Sequence, residues 1–180
     1  MNRLLPAAAV FLALAGCSEE AKEPRTADEV IAEASELEKP RAGQYQTAVE
    51  LIDFSVPGLP AQQAEQMKSV MGKATAQGNT YCLTEQEARK GFEESIRKMT
   101  EGSGGMKCDF EDFAVDGGKI VAALTCQGPQ GLTAQIDLDG TTSAEASAMH
   151  MTMAQKAAMI PGGEMRIEMK MNSKRIGDCP

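Results

Sequence analysis

Met165-Arg166-Ile167-Glu168-Met169-Lys170-Met171-Asn172 alternates apolar and polar side chains without a break. Successive side chains of a strand point to opposite faces, so Met165, Ile167, Met169 and Met171 share a buried face and the residues between them a wet one. A one-sided strand of this kind belongs to an antiparallel sheet that is packed on one face and solvated on the other. Upstream, Pro161-Gly162-Gly163 separates it from a strand holding Met149, Met151 and Met153; Asp139-Gly140-Thr141 reads as the preceding turn, and Leu132 to Leu138 as the strand before it. Phe110 to Val115 and Lys119 to Gln127 form a hairpin about Asp116-Gly117-Gly118-Lys119.

Nearer the amino terminus the pattern mixes strand and helix. Tyr45, Thr47, Val49, Leu51 and Asp53 alternate with Gln44, Gln46, Ala48, Glu50 and Ile52, and Pro57-Gly58-Leu59-Pro60 ends that strand. Ala64, Met67, Val70 and Met71 then fit one apolar helix face, closed by Gly72 or Gly78. Thr80 to Leu83 is extended, and Thr84 with Glu87 forms a capping box ahead of Ala88, Phe92, Ile96 and Met99, with Gly102-Ser103-Gly104-Gly105 ending the helix. A second capping box, Thr26 with Glu29, precedes Val30, Ile31, Ala34 and Leu37; this short helix is a spacer or docks on the domain. The expected fold is α+β, a curved antiparallel β-meander over residues 42–180 with two helices packed on one face. About 140 residues bury roughly two-thirds of their unfolded surface, enough to fold alone.

The first 17 residues give an address. Arg3 precedes an apolar stretch from Leu4 to Leu14, and Leu14-Ala15-Gly16-Cys17 resembles a bacterial lipobox. The stretch is too short for a membrane span of about 20 residues. Residues 1–16 therefore read as a lipoprotein signal peptide, Cys17 as the lipidated residue, and residues 17–41 as a polar tether with its short helix. Acyl chains contribute about 0.8 kcal/mol per buried CH₂, so two or three hold such a chain to its membrane. Ser18 rather than Asp after Cys17 resembles outer-membrane-sorted lipoproteins, which places the expected domain in the periplasm.

Four further cysteines, Cys82, Cys108, Cys126 and Cys179, suit two disulfides in an oxidising compartment, with three possible connectivities. Cys108 and Cys126 are equidistant from the Gly117-Gly118 turn, so a tight hairpin sets them opposite each other. The favoured pairs are Cys108 with Cys126 and Cys82 with Cys179, a disulfide-stapled domain. None of the four has the Cys-x-x-Cys spacing of a metal site.

Taken in order, Gly43-Gln44-Tyr45, Pro57-Gly58, Cys82-Leu83-Thr84, Cys108 and Cys126 about their hairpin, the Met-x-Met strands and Arg175-Ile176-Gly177-Asp178-Cys179 resemble domain-of-unknown-function family 3617, small exported proteins and lipoproteins of proteobacteria. The resemblance implies an envelope protein. It carries no assigned activity and no functional residue.

Composition narrows the chemistry. The net charge is −8, and residues 1–16 carry only Arg3, so the mature chain is more acidic still. Clustered basic faces are missing and the 4% aromatic content includes no Trp, so nucleic acid is not an expected partner. Met149, Met151 and Met153 offer thioethers that suit Cu(I), yet their period-2 spacing with Ile167 is that of a core face. His150, the single His, points the other way from them. No Ser or Cys nucleophile motif accompanies it. The acids Asp109, Glu111, Asp112 and Asp116 read as a solvated surface. Asp137-Leu138-Asp139-Gly140 lacks the later Glu of a calcium loop and reads as a turn. Neither catalysis nor a cofactor is expected. The expected role is binding or assembly, through an apolar pocket for a small amphiphile or a surface for an envelope protein partner; a Met-rich Cu(I)-binding protein and an enzyme are the alternatives.

Overall fold

The computed structural model describes residues 23–76, 78–103 and 105–180. Cys17 and the signal peptide lie outside the described residues. Seven strands form one curved antiparallel sheet: β1 (Gly43–Ser55), β2 (Asn79–Leu83), β3 (Lys107–Asp116), β4 (Lys119–Gln127), β5 (Thr133–Thr142), β6 (Ala146–Lys156) and β7 (Glu164–Gly177). Their order is β2-β1-β7-β6-β5-β4-β3, so β3 to β7 run as a meander and the first strand docks beside the last. Helices α1 (Ala27–Ala34) and α4 (Glu93–Glu101) sit against β3, while α2 (Ala61–Ala76) sits against β1. A short α3 (Glu85–Lys90) leads into α4.

Two apolar clusters hold these layers together. Val30, Ala34 and Leu37 pack with Ile96 of α4 over Phe110, Phe113, Ile120, Ala122 and Leu124. At the other end, Phe54, Val56 and Ile167 pack with Met71 of α2. Each large side chain buried this way contributes about 1.5–3 kcal/mol. The first cluster takes Val30 and Ala34 from α1 and Leu37 from just beyond it, so the amino-terminal helix packs on the sheet: Val30 is fully buried. Both capping boxes form, with Thr26 accepting from the Glu29 N–H and Thr84 from the Glu87 N–H.

The edge strand β3 is covered. The Arg25 N–H donates to the Phe110 carbonyl at 2.7 Å, the Arg25 guanidinium donates to the Phe113 carbonyl, and Glu33 accepts from the Val115 N–H at 3.1 Å. These contacts satisfy backbone groups that an edge would otherwise offer to another chain.

Several local expectations need correction. The helix expected after Thr84 is two helices, because Gly91 caps α3 at φ 60° and redirects the chain before Glu93. Asp139-Gly140-Thr141 is not a turn but lies within β5, opposite His150, Met149 and Ala148; the chain reverses at residues 143–145. Gly140 is needed for a close approach, since a Cβ there would sit 2.2 Å from the Ala148 carbonyl oxygen. On α2 the inward face carries Ala64, Lys68 and Met71, whereas Met67 and Val70 are 43% and 66% exposed. The helix is turned so that Lys68 lays its stem inward and reaches Asp53 at 3.4 Å. The strict alternation expected along β1 breaks at a register shift between Leu51 and Asp53, which turns Phe54 inward and Asp53 outward.

Candidate functional site

Strand register organises the inner face of the sheet into rows. Thr142, Ser147, Ser173 and Thr47 are successive partners across β5, β6, β7 and β1. The next row is Gly140, Met149, Met171 and Val49; then come Leu138, Met151, Met169 and Leu51, and Ile136, Met153, Ile167 and Phe54. One face therefore changes from hydroxyls to hydrocarbon and thioether within one row.

The helices lie over β3 on one side and β1 on the other and leave the middle of this face partly open. Met149, Met151, Met153, Met165, Met169 and Met171 are accordingly half-buried, not sealed within the core as their alternation suggested. Between α4 and the strands β3 to β6 lies a groove of about 270 Å³. Leu37, Phe92, Ile96 and Met99 form its helical wall, and Phe110, Phe113, Leu124, Ile136, Leu138, Met149 and Met151 line the sheet side. The small side chain of Ala122 makes room in the sheet, and the Met149 thioether lies over Gly140 beside it. No charged side chain lines the groove; its polar groups are the hydroxyls of Ser95, Thr142 and Ser147. Pockets that take small molecules share this character, mostly apolar with a few placed polar groups, and begin at about 300 Å³. Sequence reasoning identified the methionine face but not Ser95, Thr142 or Ser147, because only the register reveals that two of them stand side by side.

His150 occupies the outer face. Its Nδ1 lies 2.9 Å from an Asp139 carboxylate oxygen on β5 and its Nε2 2.9 Å from Glu168 on β7. Hydrogen bonding to Asp139 first and Glu168 second raises its pKa above the ordinary imidazole value. With both ring nitrogens facing carboxylates, the imidazole is placed as a cross-strand cation. Asp109, Glu111, Asp112 and Asp116 lie on β3, three strands away. Among the described residues no three His, Cys, Asp or Glu side chains are grouped to hold a metal ion. No described helix is long and apolar enough to cross a membrane.

Cys108 and Cys126 are register partners joined by a disulfide, with Cα atoms 4.0 Å apart; a second disulfide joins Cys82 to Cys179, with Cα atoms 5.5 Å apart. The family described as protein of unknown function (DUF3617) matches residues 40–179. The chain belongs to this DUF3617 family. No curated protein and no solved structure matches it. Part of the set that carries the DUF3617 resemblance, Gly43 to Tyr45, Cys82-Leu83 and Arg175 to Gly177, meets at the polar end of the sheet, where Gly43 pairs with Leu83 and Tyr45 with Arg175. There the Arg175 Nε donates to the Ala42 carbonyl at 2.9 Å. The Tyr45 ring stacks on Tyr81 with centroids 5.7 Å apart, and its hydroxyl lies 2.8 Å from the Arg41 carbonyl oxygen and 2.9 Å from that of Ala144. Burial raises the Tyr45 phenol above its ordinary value. In this DUF3617 member those residues therefore fix the frame beside the groove.

Proposed function

We propose that this DUF3617 protein is a lipid-anchored binding module of the bacterial envelope, whose groove takes the apolar part of a small amphiphile. The observation that carries the reading is the groove itself: an uncharged cavity of about 270 Å³, lined by hydrocarbon and thioether, with hydroxyls at one end. Methionine lining favours it, because an unbranched, polarisable side chain adapts to irregular apolar partners. The lipobox at Cys17 supplies the anchor in this reading, Ser18 points to the outer membrane, and the two disulfides suit an oxidising periplasm. A binding role is preferred to catalysis because both ring nitrogens of His150 are already engaged by carboxylates.

Native mass spectrometry of protein released gently from its own membrane tests this reading. A copurified small amphiphile is expected in the wild type and its loss in Ser95→Trp, which fills the mouth from an exposed position on α4. A ligand-free wild type that also takes up no apolar dye would reject it.

A second reading has its own observation. Met149 pairs with Met171 and Met151 with Met169, which sets four thioethers side by side on one face. Such soft donors suit Cu(I). Titration with Cu(I) against a competing chelator decides between the two: tight binding that disappears when Met149, Met151 and Met153 are replaced would favour the metal.

A further inference from the structure

Four hydroxyl side chains form one row across the inner face, and they are not equivalent. Thr47 and Ser173 satisfy each other, with 3.0 Å between their oxygens. Thr142 and Ser147, next in the same row and opposite each other in register, have no side-chain hydrogen-bond partner among the described residues. Both are half-buried, and both border the apolar groove. Each hydroxyl supplies one donor and two acceptor positions, so the pair is a small polar seat at the end of a hydrocarbon trough.

We propose that the occupant is a single-chain amphiphile with an uncharged, hydrogen-bonding head, an alcohol or ester oxygen, seated on Thr142 and Ser147. The proposal rests on the reading of the groove as a binding site. Charge complementarity selects the head. Lys174, next to Ser173, is exposed and alternates onto the outer face; the cations held to the β5–β6 turn are Arg41, whose backbone N–H donates to the Ala144 carbonyl, and Arg175, whose backbone N–H donates to the Glu145 carbonyl. Both are committed: Arg41 is 2.9 Å from Glu145, and Arg175 bonds Asp178 and the Ala42 carbonyl. A carboxylate or ammonium head would lose its hydration without gaining a counter-charge, which is costly. A bare hydrocarbon would cover the two hydroxyls without bonding them, which also costs free energy. The alcohol avoids both. The volume suits one chain of modest length, since it is less than twice the roughly 150 Å³ at which an engineered apolar cavity accepts benzene.

The test uses the full chain carrying Cys17→Ser, which keeps it free of its own acyl groups and of detergent. Displacement of a fluorescent apolar dye is measured with octanol, octanoate and octane at alkaline pH. Octanol is expected to displace the dye at about a tenfold lower concentration than either competitor, the size of one or two net hydrogen bonds. Thr142→Val combined with Ser147→Ala should abolish that advantage, leaving octanol no better a competitor than octane in a chain that still melts cooperatively. Equal displacement by all three, a preference for octanoate, or an octanol preference that survives the double replacement would overturn the head-group assignment and leave the groove standing. A chain that takes up no dye would overturn the groove reading as well.

Discussion

His150 stands between carboxylates from two neighbouring strands, and its protonation is coupled to the fold. Asp139 first and Glu168 second raise its folded-state pKa above the ordinary value. The sign follows from linkage: the contribution to stability is fully present below the unfolded pKa of about 6.5 and is lost as pH rises through the elevated folded value. NMR titration of the imidazole should therefore give a midpoint above that of a free histidine, returned to normal by Asp139→Asn with Glu168→Gln. Melting temperature should fall across the same window in the wild type but not in His150→Gln; a midpoint at or below the ordinary value would contradict the assignment. Gly140 gives a second prediction at this scale. A Cβ there would stand 2.7 Å from the Met149 sulfur as well as against the Ala148 carbonyl, so Gly140→Ala should lower unfolding free energy by about 1–3 kcal/mol in urea titration. Phe110, only 2% exposed, should cost about 3–5 kcal/mol as Phe110→Ala, whereas half-buried Met151→Ala should cost less than the roughly 2 kcal/mol at the foot of the usual range. Equal losses would place Met151 in the sealed core.

At the scale of elements, what could be read in the sequence was what depends on near neighbours. The capping boxes at Thr26 and Thr84 involve residues three apart, and the alternation of β7 involves residues two apart, so both are visible without the fold. The bulges are not. Phe110 and Phe113 both face inward only because β3 shifts register between Phe110 and Asp112; a spacing of three suits a helix face and not the period of two of an unbroken strand. Asp139-Gly140 has local turn chemistry that the β5–β6 pairing overrides. The methionine face was legible, but its partial exposure was not, because the gap depends on where α2 and α4 settle. The disulfides carry a prediction at this scale. Cys108 and Cys126 are 5% and 0% exposed, while Cys82 is exposed at the edge. Graded reduction followed by peptide mapping should open Cys82–Cys179 first, freeing β2 and the last residues while the β3–β4 hairpin stays bridged. Release of Cys108 ahead of Cys82 would refute the order.

For the molecule as a whole, the groove is cut into the first core itself: Leu37, Ile96, Phe110, Phe113 and Leu124 belong to both, and Met149 and Met151 form its adaptable side. The order of strands has a separate consequence, in time. β1 is made first, yet its long partner β7 is made last, and the two meet in the interior of the sheet. Closing so distant a pair is slow, because chain entropy is lost before the contacts form. Pulse-labelled hydrogen exchange during refolding should show amides of the β3–β4 and β5–β6 hairpins protected before those of β1; early protection of β1 would contradict it. A nascent chain of this design cannot complete its sheet until residues 164–177 have emerged. Until then Leu51 and Phe54 remain available to a holding chaperone, and the polypeptide stays pliable enough to be threaded through a narrow pore.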